Sequence, residues 1–83
     1  MNSVKYAITW NGKEWICPDE LWDFLNIIDS DGLLKKWIRK YHLMIEFVKD
    51  EGQFKLKDIY SKGRAYSDNN KKIIAKDIGL EVI

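Results

Sequence analysis

Residues 33–48, Leu-Leu-Lys-Lys-Trp-Ile-Arg-Lys-Tyr-His-Leu-Met-Ile-Glu-Phe-Val, are the densest apolar stretch of the chain and contain its most basic short cluster. At about 100° per residue, Leu33, Leu34, Trp37, Ile38 and Tyr41 fall in one arc of a helical wheel. Lys35, Lys36, Arg39 and Lys40 fall on the other side. A helix of this kind buries its first face and gives the second to solvent or to an anionic partner. Its end has two solutions. If it runs to Val48, then Leu43 and Phe47 point out among the charges. If it stops near His42, Leu43–Val48 is a β-strand and that conflict disappears; the second solution is preferred.

The segment before it reads as a β-hairpin over residues 5–17. Asn11-Gly12 is a strong two-residue turn signal, because a type I′ turn needs positive φ at both positions. That turn sets Trp10 opposite Lys13, Ile8 opposite Trp15 and Tyr6 opposite Cys17. Tyr6, Ile8, Trp15 and Cys17 then share one face, with Trp10 at its tip. A two-stranded hairpin is not stable alone, so this face has to pack on helices.

Pro18 suits the first turn of a helix, and Asp19 and Glu20 suit its positive end. Leu21, Phe24, Leu25 and Ile28 give a short amphipathic helix over roughly 18–27. Asp29-Ser30-Asp31-Gly32 breaks it, and Ser30 or Asp31 can cap the next helix. Residues 49–53 form a turn, and Phe54–Tyr60 alternate as a strand, making a second hairpin over 43–60. Ser61–Tyr66 is a loop around Gly63. Ser67 or Asp68 caps a last helix with Ile73, Ile74 and Ile78 as its buried stripe and Gly79 as its stop. Leu80–Ile83 docks or adds a strand. The expected order is β-β-α-α-β-β-α, an α+β domain.

Eighty-three residues make one domain with a small core. Four Trp, four Tyr and three Phe are many for that length, so some rings fill the core and others reach the surface. The net charge of +1 is unevenly spread: residues 1–34 carry two basic and six acidic side chains (−4), and residues 35–83 twelve and seven (+5). The single Cys17 cannot close an internal disulfide, which suits a reducing compartment. No apolar run approaches a membrane span, and Met1–Tyr6 lack a signal-peptide core, so a cytoplasmic protein is expected.

Trp15-Ile-Cys-Pro-Asp-Glu-Leu-Trp-Asp-Phe-Leu-Asn-Ile27, Leu34-Lys-Lys-Trp-Ile-Arg-Lys40 and Gly52-Gln-Phe-Lys-Leu-Lys-Asp-Ile59 together outline two helices followed by a hairpin. This resembles the small winged helix-turn-helix domains of phage excisionases and MerR-type regulators. Asp19–Leu25 with Trp37-Ile38 also resembles the N-terminal domain of phage antirepressors. The resemblance implies a winged-helix-like fold with an added N-terminal hairpin, and a small DNA-binding regulatory or accessory protein of mobile-element type. It implies groove or phosphate contacts from Lys35, Lys36, Arg39 and Lys40, and a wing carrying Lys55 and Lys57. The inter-helix turn is longer than that family's, and Asp29 and Asp31 stand where the recognition helix should approach DNA.

Lys62 and Arg64, between Tyr60 and Tyr66, add to the basic set. Cations on one face neutralise phosphates and release counterions; equally, they can simply solvate the outer face of a core helix. The tryptophans suggest a different class. Trp10 and Trp22, if exposed, would anchor a protein partner without DNA contact. Self-association through the hairpin edge, giving a homodimer, is a third possibility. Lys72–Leu80 echoes the first helix and turn of a helix-turn-helix but leaves no chain for a recognition helix. His42 has no second His or Cys for a metal set, Cys17 no evident base, and Ser61-Lys-Gly-Arg64 lacks phosphate-loop spacing. Asp19, Glu20 and Asp23 fit helix N-terminal charge better than a catalytic carboxylate set. No enzyme, metal or cofactor is expected.

Overall fold

The computed structural model describes residues 5–83; most of the N-terminal segment considered for a signal peptide lies outside them. The order is β1 (Tyr6–Trp10), β2 (Trp15–Ile16), α1 (Asp19–Ile28), α2 (Leu33–Tyr41), β3 (Leu43–Asp50), β4 (Gln53–Ser61), β5 (Arg64–Ala65) and α3 (Asp68–Asp77). The strands form one antiparallel sheet in the order β2-β1-β3-β4-β5. This is an α+β domain with the expected element order and one short added strand.

Alternation along the strands sends Ile8, Leu43, Ile45, Phe47, Phe54, Leu56 and Ile59 to one face. Leu21 and Leu25 of α1, Leu34 and Ile38 of α2 and Ala75 of α3 join them in one core. The helices therefore share one side of the sheet. On the other side a row of residues crosses all five strands, from Ile16 through Thr9, Met44 and Tyr60 to Ala65.

α2 stops at Tyr41 because His42 turns left-handed (φ 54°) and its N–H closes on the Ile38 carbonyl. The chain then runs directly into β3, so the shorter-helix solution is correct. β3 pairs with β1 on one side and β4 on the other, so α1 and α2 form the connection that carries the chain from β2 back to the far edge of β1. At the Glu46/Phe47 step the register slips: Glu46 faces Asp58 but Phe47 faces Leu56, leaving Lys57 as a bulge.

Several expectations need correction. Thr9 pairs with Ile16 and Trp10 with Trp15, so the first hairpin is displaced by two residues from the type I′ register. The Asn11 side chain explains it. Its Oδ1 accepts from the N–H groups of Lys13 and Glu14, both at 2.8 Å, and Asn11 N–H reaches the Glu14 carbonyl. This builds a four-residue loop instead of a two-residue turn. Because the displacement is even, Tyr6, Ile8, Trp15 and Cys17 still share a face.

The tight turns lie elsewhere. Asp50 pairs with Gln53 across Glu51-Gly52 (φ 51° and 80°), and Ser61 with Arg64 across Lys62-Gly63 (φ 52° and 79°). The turn expected over 49–53 shrinks to two residues, and the expected 61–66 loop contains β5. In α3, Ser67 caps by accepting from Asn70 N–H, as expected. The buried stripe, however, runs through Lys71, Ile74, Ala75 and Ile78, while Ile73 is 53% exposed. The tail docks on the outer edge of β4: Leu56 N–H donates to Glu81 and its carbonyl accepts from Ile83. No helix among the described residues is long and apolar enough to cross a membrane.

Candidate nucleic-acid interface

The outward face of α2 is built from its own spacing. Lys35 and Arg39 are one turn apart, as are Lys36 and Lys40, so all four stand on the side away from Leu34 and Ile38. The first hairpin, with Trp10 and Trp15, and α1, with Trp22, lay tryptophans along this face. The rings of Trp10 and Trp15 are 5.1 Å apart, and those of Trp15 and Trp22 are 5.9 Å apart. Arg39 sits 4.9 Å over Trp10 and Lys35 4.7 Å over Trp22, so each end of the ladder carries a cation on its π-face. Asn26 of α1 also accepts from Lys35 Nζ at 2.9 Å. Lys40 lies 5.3 Å over Tyr41. Lys36, Arg39 and Lys40 are exposed and Lys35 is half-buried.

Lys35, Lys36, Arg39 and Lys40 line one open depression of about 600 Å³, with Trp10 and Gly32. No carboxylate lines it. The acids that the sequence sets at the start of α2 are accounted for by the helix itself. Asp29 is buried and accepts from the N–H groups of Leu34 (2.8 Å) and Lys35 (3.2 Å). Asp31 accepts from Leu33 N–H at 3.1 Å. The cap thus comes from Asp29 and Asp31 rather than Ser30, and the N-terminus of α2 is already occupied by protein carboxylates.

The other basic residues do not join the depression. Lys55 donates to Asp50 at 2.9 Å and lies 3.6 Å from Glu81, and Asp50 holds its ammonium above the ordinary lysine range. Lys57 is the exposed bulge residue. Lys62 and Arg64 lie beyond the end of β4, where Ser61 Oγ donates to the Tyr41 carbonyl. They therefore share the C-terminal end of α2, whereas the hairpin tip near Lys55 lies by α1, where Lys49 pairs with Glu20.

Trp10 and Trp22 are both half-buried in the ladder. Sequence reading missed Trp15 as its middle ring and Asn26 as the partner of Lys35; neither has a local signature, because each contact joins separate elements. Burial pushes the Cys17 thiol up to about 11, against an opposing pull from Lys35 and with a further push from Asp19. Its Sγ donates to the Pro18 carbonyl, so the thiol behaves as a packed strand-end residue. Among the described residues no group of three His, Cys, Asp or Glu is arranged to hold a metal ion. No protein-family model matches the chain, and neither a curated protein nor a solved structure matches it.

Proposed function

We propose that this is a small DNA-binding regulatory or accessory protein that meets duplex DNA with the outward face of α2. The observation that carries the reading is the gathering of Lys35, Lys36, Arg39 and Lys40 around one open depression without a carboxylate. Such a face neutralises phosphates and gains affinity from released counterions. Because Asp29 and Asp31 close the N-terminus of α2, contact runs along the helix from Lys36 to Lys40 and on to Lys62 and Arg64. This differs from a helix that enters the groove tip-first.

The competing role, docking of a protein partner on Trp10 and Trp22, is less well supported. Both indoles are half-buried in the ladder, and each has a cation on its ring, so neither offers an apolar anchor. A DNA-binding role and a lone reduced thiol both suit a reducing intracellular compartment, and the cytoplasm is the location that goes with this reading.

The test is binding of a mixed-sequence duplex across a range of salt concentrations. With the four cations of α2 and Lys62 and Arg64 engaging six phosphates, log K should fall with log[salt] at a slope of about −5.4, and a Lys36→Gln/Lys40→Gln variant should lose about a third of that slope. Absence of binding at low salt, or an unchanged slope in the variant, overturns the reading.

A further inference from the structure

On the other side of α2 a second depression, of about 310 Å³, opens between α2 and α3. It is lined by Trp37, Tyr41, Leu43, Tyr66, Ile74 and Asp77. Three of these six are aromatic, two are aliphatic, and the only charged group is a carboxylate. The chemistry is the reverse of the basic face. It offers π-faces, apolar walls and one negative charge, with no Lys or Arg among the lining residues.

The setting adds to this. Tyr41 is the last residue of α2 and Asp77 the last of α3, so the depression lies where two helices end. Helix C-termini carry partial negative charge. A carboxylate in the last turn of α3 is unfavourable for the helix on its own account, which makes its presence beside three aromatic rings informative. The walls are fixed from outside the depression. Ser61 Oγ holds the Tyr41 carbonyl at 3.0 Å, and Tyr66 N–H donates to the Ile59 carbonyl at 2.8 Å. Tyr41 is 48% exposed, so one wall faces solvent and the site is open to entry. Lys40 lies 5.3 Å over the Tyr41 ring, so an incoming cation competes with that ammonium for Tyr41 and relies more on Trp37, Tyr66 and Asp77.

We infer that this depression binds an organic cation of the alkylammonium class, its methylated nitrogen held against Trp37, Tyr41 and Tyr66 and its charge balanced by Asp77. A quaternary nitrogen is large, weakly hydrated and without N–H donors. It loses little by leaving water and gains from aromatic faces, whereas a hard metal ion needs about six oxygen ligands and the lining offers a single carboxylate. A free head group such as choline and a trimethylated lysine side chain share this chemistry.

The experiment is an NMR titration of the intact protein that follows the Trp37 indole N–H, assigned with a Trp37→Phe variant. The probes are choline, its uncharged carbon isostere 3,3-dimethyl-1-butanol, and a short peptide carrying trimethyllysine or unmodified lysine, all at matched ionic strength. Saturable shifts of the Trp37 signal with choline, the trimethyllysine peptide or both, and at least tenfold weaker binding of the isostere, are expected. The two probes separate a free head group from a side chain. Asp77→Asn and Tyr41→Ala, both at exposed positions, should each weaken binding at least fivefold while leaving the rest of the spectrum in place. Equal binding of the isostere, unchanged affinity in both variants, or no saturable shift with any cationic probe overturns the inference.

Discussion

The buried carboxylate of Asp29 accepts from the backbone N–H of Leu34 at 2.8 Å, five residues on, and so closes the first turn of α2 from the loop that precedes it. The same carboxylate reaches Lys35 N–H. One side chain thereby sets where the basic helix begins and keeps its N-terminus from acting as an anion site.

Replacing Asp29 by Ala leaves two N–H groups without that partner and a small void. The cost should be about 1–3 kcal/mol in urea unfolding, with Asp29→Asn losing less because an amide oxygen can still accept. A loss below about 0.5 kcal/mol for Asp29→Ala would show that the cap does not hold the helix.

Lys71 stands in the buried stripe of α3 because its ammonium has somewhere to go. It donates to the Lys57 carbonyl at the bulge, at 2.9 Å, and to Asp58 at 3.3 Å, with Asp68 at 3.6 Å. Lys71→Met keeps the packing and removes the donor. It should destabilise by about 1–2 kcal/mol, since Asp58 retains some solvent. Amide hydrogen exchange should rise first around residues 56–59.

Glu51 adopts φ 51° in the two-residue β3–β4 turn, a conformation that costs an ordinary L-residue. Glu51→Asn should raise stability by about 0.5 kcal/mol, because Asn favours this turn position. Gly52→Ala, at φ 80°, should lower it by about 1 kcal/mol. Thermal melting of both variants checks the pair of signs.

Cys17, with its thiol raised to about 11, should react with iodoacetamide at pH 8 about a hundredfold more slowly than in the urea-unfolded chain. The folded state holds this proton where the unfolded chain has begun to lose it. This group's contribution to stability is therefore present at neutral pH and falls as pH rises past the unfolded thiol pKa.

Glu20 is held below its ordinary carboxylate value, first by the hydrogen bond from Lys49 and also by one from Tyr6. A depressed folded pKa gives stability that is complete above the unfolded value and lost as pH falls through the folded one. Glu20→Gln should therefore show a shallower loss of urea midpoint on acidification, and added salt should shrink the difference.

Much of this was legible in the chain. The period of about 3.6 in residues 33–41 and the period of two in 43–48 are local properties, so the helix, the strand and the outward basic face could all be read directly. Asn11-Gly12 was misleading because a side chain, not the backbone alone, set the loop. The α3 stripe was misread because Lys71 looks like a surface residue until its acceptors on β4 are known. The depression between Trp37, Tyr41, Tyr66 and Asp77 had no spacing to betray it, since its walls come from α2, α3 and the segment after β5.

What the sequence determined by itself was the identity and order of the main elements and the inward faces of α1, α2, β3 and β4, because apolar periodicity acts within a few residues. Tertiary structure decided the hairpin register, the β1–β3 pairing, the bulge at Lys57 and the grouping of cations with the tryptophan ladder. Those depend on contacts between distant segments, and only the closed fold brings such segments within hydrogen-bonding or ring-stacking distance.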